Sequence, residues 1–290
     1  MRYIPLSNSV YKRNRRNFMD EMKGNSLAVF NSNDIYPVSA DSELPFEQHR
    51  DIFHLTGIDQ EETILLLYPA SKNYKTSEIL FIRKSDNHTK VWEGEKLSKK
   101  QAKELSGIDN IHYIEDFKDV LSSIASRVDT FYINKNEHYR ANSPVETRED
   151  RFISWLLKKY PAHNVAKSNP ILQRQRSIKH PNEIDQIRRA CEITGKGFNR
   201  VLKFIKPNIW EYEIEAEFIH EFINNSSKGF AYSPIIASGN DNNVLHYIKN
   251  NKQCKSGELI LMDVGAEYGN YSSDMTRTVP VSGKFSKRQK

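Results

Sequence analysis

The sequence is poor in cysteine, with only Cys191 and Cys254 in 290 residues. Two isolated thiols make neither a disulfide framework nor a zinc site of the Cys-x-x-Cys type, so both read as reduced structural residues. Long apolar runs are also missing. No stretch approaches the ~18 consecutive apolar residues that a membrane-spanning helix needs. The longest apolar cluster near a terminus, Leu27-Ala28-Val29-Phe30, is too short for a signal-peptide core. The basic segment 1–16 is not followed by an apolar one. These absences predict a cytoplasmic protein without a membrane partner. Internal repeats and low-complexity tracts are absent too. Net charge is +6, but the basic residues are spread among acids. Only Lys12-Arg13-x-Arg15-Arg16 and the stretch 284–290 form runs. No nucleic-acid motif accompanies them, and the first run reads as a solvated helix face, so no nucleic-acid partner is expected.

What is present is a globular mixture of 38% apolar and 28% charged residues, long enough for two domains. Residues 10–22 read as an amphipathic helix. Short apolar runs at Leu27–Phe30, Ile52–Leu55, Thr63–Tyr68 and Ile79–Ile82, each bounded by turn formers, read as strands. Helical patterns near 98–105, 115–126 and 147–159 alternate with strand-like pieces at 111–114 and 130–133. That alternation predicts an α/β domain over residues 1–165. Tyr160-Pro161 to Asn169-Pro170 reads as a linker, and a second domain of α+β type spans 170–290. There Ile184, Ile187, Cys191, Thr194, Phe198, Val201 and Ile205 recur at helical spacing, with Pro181 in the first turn and Pro207 beyond the end. A second helix starts near Glu211, with Ile214, Phe218, Phe222 and Ile223 on one face.

The last two strands, Leu259–Tyr268 and Tyr271–Val281, flank Gly269-Asn270, a two-residue hairpin turn. Counting outward from that turn pairs Asp263 with Thr276 and Asp274 with Gly265. Both aspartates then lie on one face as diagonal neighbours, roughly 7–8 Å or a little less apart at Cβ. A carboxylate in so apolar a strand as Leu259–Gly265 is costly to bury alone. Two at that spacing can converge on one or two metal ions, with Gly265 keeping the space beside Asp274 open. The alternative is structural pairing, Asp263 with Arg277 or a buried lysine and Asp274 with another cation. His246 follows the Gly-Asn-rich loop Ser238–Asn243. It is a candidate acid or hydrogen-bond donor, against the plainer reading of a packed or surface histidine.

The strings Val244-Leu245-His246-Tyr247, Met262-Asp263-Val264-Gly265-Ala266-Glu267-Tyr268 and Tyr271 to Phe285 resemble the aminopeptidase P (Xaa-Pro aminopeptidase) branch of the pita-bread metallopeptidases. Asp41-Ser42-Glu43, Phe53-His54-Leu55-Thr56-Gly57 and Val91-Trp92-Glu93-Gly94 resemble that branch's N-terminal domain. Lys179-x-Pro181-x-Glu183-Ile184 resembles the entry to its catalytic domain. The resemblance covers essentially the whole chain, and the combination is specific although each string alone is not. It implies an α/β N-terminal domain over 1–165 and an α+β pita-bread (creatinase/aminopeptidase-like) domain, incomplete, over 170–290. It implies two metal ions, usually manganese, held by two Asp, one His and two Glu. Asp263 matches the first aspartate, which binds one metal, and Asp274 the second, which bridges both. His246 matches a histidine that is not a ligand but steadies developing charge or moves a proton. Hard oxygen donors suit manganese, and two close metals can hold a hydroxide nucleophile and polarise the scissile carbonyl. Tyr232 and Trp92 are the candidate substrate-binding residues. Trp92 resembles an aromatic that reaches a neighbouring subunit's site, against the plainer reading of a core residue of its own domain. His54 stands where the family more often has an aromatic.

The implied activity is hydrolysis of the bond between an N-terminal residue and a following proline, on peptides with proline second, by a homo-oligomer. An Xaa-Pro dipeptidase, a metal-free relative such as creatinase and a catalytically dead binding module are the competing readings; the retained aspartates speak against the metal-free one. The remaining His and two Glu ligands should follow Asp274, yet residues 275–290 contain neither type. Ser286 and Gln289 have the form of a helix-capping box at the very end. The sequence therefore reads as a truncated form, inactive alone.

Overall fold

In the computed structural model, residues 2–71, 74–138 and 144–290 are described. The chain divides into two compact units, Leu6–Lys179 and His180–Lys290, the latter joined by the first residues up to Pro5.

The first unit is built from α1 (Asn8–Glu21), β1 (Ser26–Asn31), a small hairpin of β2 (Pro37–Ser39) and β3 (Ser42–Glu43), α2 (Arg50–Thr56), β4 (Ile64–Leu67), α3 (Tyr74–Ser77) and β5 (Glu78–Ile82). It continues with α4 (Asn87–Trp92), α5 (Lys99–Ser106), β6 (Asn110–Tyr113), α6 (Phe117–Ala125), β7 (Thr130–Ile133), α7 (Arg148–Lys159), β8 (Asn164–Lys167) and α8 (Asn169–Ser177). Six strands form one mixed sheet in the order β6-β5-β4-β1-β7-β8. Both faces are covered, which is why the strands read as near-continuous apolar runs rather than alternating ones. Ala28, Phe30, Leu65, Leu67, Leu80 and Ile82 face Phe18 of α1, Ile52 and Leu55 of α2, Ala102 of α5 and Leu172 of α8. Leu27, Val29, Leu66, Ile79 and Phe81 face Phe117, Leu121 and Ile124 of α6 and Phe152 and Leu156 of α7.

Two expectations change here. Ile52–Leu55 is not a strand but the middle of α2, buried on every side from Asp51 to Thr56. Short apolar runs do not distinguish a buried strand from a buried helix by period. The distinguishing signal is Gly57, which takes a left-handed conformation (φ 69°) and closes the helix. A Cβ there would lie 2.3 Å from the Tyr11 ring. The segment read as a linker carries β8 and opens α8, and the division between units falls after Lys179. In α2, His54 is buried, and its Nδ1 and carbonyl oxygen lie 3.3 and 2.9 Å from the Asn14 amide nitrogen.

The second unit contains α9 (Pro181–Phe204), α10 (Glu211–Asn224), β9 (Ile235–Ser238), β10 (Leu259–Val264), β11 (Glu267–Tyr268), β12 (Tyr271–Ser272) and β13 (Met275–Pro280). Pro181 occupies the first turn of α9, and His180 and Glu183 cap it reciprocally. The buried stripe of α9 is Ala190, Ile193, Thr194, Gly197, Phe198 and Val201; Ile184 and Cys191 are exposed, so the stripe is rotated from the expected one in its first half. Gly197 lets Phe218 and Phe222 of α10 pack against the α9 backbone, since a Cβ there would meet their rings at 2.9 and 2.7 Å. On α10, Ile214, Phe218 and Phe222 are buried and Ile223 is half-exposed. The sheet order is β13-β10-β9, antiparallel throughout. Ile260, Met262 and Val264 point to the helices, which leaves Leu261 and Asp263 on the opposite face. No helix among the described residues is long and apolar enough to cross a membrane.

Candidate metal centre

The hairpin has the register counted from its turn. Asp263 pairs with Thr276, Leu259 with Pro280 and Tyr268 with Tyr271. Gly269 and Asn270 both have positive φ (59° and 68°), the conformation a two-residue type I′ turn requires. The ladder is interrupted between β10 and β11 on one side and between β12 and β13 on the other. At the interruption, Ala266 N donates to Thr194 Oγ1 (2.9 Å) and to Ser273 Oγ (3.0 Å), and Ser273 N donates to Ala266 O (3.0 Å). Gly265 serves a different purpose from the one its position suggests. A Cβ on it would lie 1.9 Å from the Ser273 carbonyl oxygen, so glycine admits the neighbouring backbone rather than leaving room beside Asp274.

The two aspartates converge on one hydroxyl. Tyr232 Oη donates to Asp263 Oδ1 at 2.6 Å and lies 3.2 Å from Asp274 Oδ1. Burial first, and then the two carboxylates, push the Tyr232 phenol far above its ordinary pKa, so it stays a donor. Asp263 is half-buried and Asp274 exposed. Among the described residues neither has a lysine or arginine partner. Arg277, the structural alternative for Asp263, donates instead to the Thr276 carbonyl at 2.7 Å. Two uncompensated carboxylates aimed at one point are an arrangement that a divalent cation stabilises and that like charge alone opposes. The donor set therefore fits a metal. No third His, Cys, Asp or Glu joins them among the described residues.

His246 is exposed in the turn after β9, between Leu245, 89% exposed, and the buried Tyr247. Tyr247 packs with Ile235, Ala237 and Leu261. These residues share the sheet face of Asp263, so the histidine's neighbour sits on the aspartate side. Tyr247 Oη donates to Glu211 Oε2 at 2.8 Å, and burial and that carboxylate raise its pKa to about 12. Trp92 is not a core residue: it is 75% exposed on the first unit's surface, beside Val91 at 80%, with its ring 6.0 Å from His88. Of the five candidates, Tyr232, Asp263 and Asp274 are brought together by direct contacts. The contact of Tyr232 with both carboxylates and the burial of Glu211 are not readable from spacing, because both depend on how loops return to the sheet. At the chain's end, Ser286 N donates to Gln289 Oε1 (2.8 Å), and Gln289 N donates to Ser286 Oγ (3.3 Å).

A two-helix, antiparallel-sheet unit with paired strand carboxylates, preceded by an α/β unit, is the architecture of a pita-bread metallopeptidase with its N-terminal domain. Residues 11–132 match the family profile "Aminopeptidase P, N-terminal domain", and residues 185–290 match "Metallopeptidase family M24". The two matches fall on the first and the second unit, and the chain is similar over nearly its whole length to members of the aminopeptidase P group. It is 30% identical to an Xaa-Pro aminopeptidase of Escherichia coli over 98% of its own length and 65% of the relative's. It is 30% identical to human Xaa-Pro aminopeptidase 3 over 89% of its length and 51% of that protein. Among solved structures, zinc-substituted E. coli aminopeptidase P in complex with product superposes with a TM-score of 0.88 at 29% identity, over 99% of this chain and 65% of that one. The chain thus spans about two thirds or less of the length of these relatives.

Proposed function

We propose that the chain forms part of an Xaa-Pro aminopeptidase, a hydrolase that removes the residue preceding a proline. The observation that carries this reading is the meeting of Asp263 and Asp274 at Tyr232, without a cationic partner among the described residues, on a scaffold of the aminopeptidase P group. Asp263 and Asp274 would hold divalent metal, two manganese ions in the complete site. Bound there, such ions supply Lewis acidity towards the scissile carbonyl and lower the pKa of water. The chain's own residues do the rest. The Tyr232 hydroxyl fixes the orientation of both carboxylates. The exposed imidazole of His246 donates to the carbonyl oxygen or moves a proton as charge develops. Trp92 offers an exposed ring to a proline-containing substrate in a homo-oligomer. Two carboxylates alone are too few donors for two catalytic metals, so the 290-residue chain is proposed to be inactive by itself. Its setting is proposed to be the cytoplasm.

The test is an assay of the protein purified from its own source, with Mn²⁺, on a tripeptide with proline second and on the corresponding dipeptide, with intact mass recorded alongside. The expected result is release of the first residue from the tripeptide, lost by at least roughly 100-fold in His246→Ala, in line with removal of a general acid or donor. Cleavage of the dipeptide alone would identify a dipeptidase instead. Metal binding without cleavage of either would leave a peptide-binding module.

A further inference from the structure

Glu211 opens α10 and is completely buried. A carboxylate there is costly unless its oxygens are saturated with donors. Four donors saturate it, all from one stretch of chain. Ser238 N (2.7 Å) and Ser238 Oγ (2.8 Å) donate to Oε1, while Tyr247 Oη (2.8 Å) and Lys252 N (3.0 Å) donate to Oε2. Ser238 ends β9, Lys252 lies on the way to β10, and Tyr247 lies between them. One carboxylate therefore ties down both ends and the middle of the loop that carries His246. Glu215, one turn further along α10, adds a second strut by accepting from Asn250 Nδ2 at 2.8 Å. Asn250 in turn accepts from Ile236 N at 3.0 Å, which fixes the loop's return against β9. Asn242 ties the first part of the loop to β10, donating to Leu259 O and accepting from Leu261 N, both at 3.1 Å. Around His246 itself, Val244, Leu245 and Ile248 are exposed, and Tyr247 is the buried apolar side chain.

We propose that Glu211 is a positioning residue, which acts through the Tyr247 hydroxyl to hold His246 on the sheet face that carries Asp263. The catalytic consequence rests on the role given to His246 above. The clamp itself is a statement about the loop and stands or falls separately.

Tyr247→Phe removes one hydroxyl and keeps the ring that packs on Ile235, Ala237 and Leu261. Backbone ¹⁵N order parameters at 245–247 are expected to fall from ~0.85 in the wild type to below ~0.6 in this variant, the values that separate rigid from flexible backbone. The His246 ring resonances should move to those of an unfolded peptide, while α9 and α10 keep their order parameters. Glu211→Gln should speed exchange of the Ser238 and Lys252 amides by roughly 10- to 100-fold, as expected for losing a charged hydrogen-bond acceptor. If Glu211→Gln does not fold, Tyr247→Phe decides. Unchanged order parameters and His246 signals in Tyr247→Phe would overturn the proposal. So would loosening spread equally over α9 and α10, because Glu211 would then support the fold at large and not this loop. An active His246→Ala enzyme would refute the role of His246 and leave the exchange result standing.

Discussion

Gly265→Ala is expected to destabilise the second unit by about 3 kcal/mol or more, at the upper end of overpacking effects. The added methyl would sit 1.9 Å from the Ser273 carbonyl oxygen and 2.7 Å from its carbon, both backbone atoms. Ser273 cannot give way cheaply. Its hydroxyl is bonded to Thr194 Oγ1 (2.7 Å), and its backbone and side chain are tied to Ala266. The strain falls between Asp263 and Asp274, so the same variant should separate the carboxylates from Tyr232. Urea unfolding monitored on the second unit measures the loss. Gly195→Ala is the control: it lies in α9 with nothing within 4 Å of the added Cβ, and should stabilise by about 0.5–1 kcal/mol. A loss below about 1 kcal/mol in Gly265→Ala would contradict the close approach.

The second large effect belongs to Arg15 in the first unit. This side chain is fully buried in α1, 2.9 Å from Glu78 Oε2, and Glu78 is itself nearly inaccessible. Its Nη1 donates to the carbonyls of Leu55 (2.7 Å) and Ser106 (3.0 Å), which joins α1 to the ends of α2 and α5. Arg15→Ala is expected to cost about 3–5 kcal/mol, because the Glu78 carboxylate would stay buried without its counter-charge. Arg15→Lys should recover only part, since one ammonium cannot reproduce the fork of contacts. The comparison is Arg188→Ala, whose partner Asp185 is exposed, with an expected change within about 0.5 kcal/mol. Thermal and urea unfolding of the three variants would check this, and a loss in Arg15→Ala as small as in Arg188→Ala would contradict it.

The hairpin register was legible because period-two side chains and a two-residue Gly-Asn turn leave no freedom once the turn is fixed. That alone put Asp263 and Asp274 on one face. The α/β character of the first unit was legible from alternating runs, and α9 and α10 from their spacing, although the buried stripe of α9 is rotated to include Ala190, Ile193 and Gly197, the last of which admits the Phe218 and Phe222 rings. What was not legible depends on contacts distant in sequence. Arg15 read as part of a solvated basic run, yet it is a buried ion-pair partner, because its counter-charge lies on β5. Ile52–Leu55 read as a strand because a helix buried on all sides has no polar face to show its period. Gly265 read as open space because nothing local reveals that the Ser273 carbonyl fills it. Glu211 marked only the start of a helix, since its four donors come from a loop that returns only in the folded unit.

The central claim is that Asp263 and Asp274 together form a divalent-metal site. Titration of Mn²⁺ into the 290-residue chain, with free ion followed by electron paramagnetic resonance and the melting temperature recorded in parallel, tests it most directly. The account predicts weak binding that raises the melting temperature of the wild type and is lost in both Asp263→Asn and Asp274→Asn, with each variant still folded. Undiminished binding in both variants would contradict it.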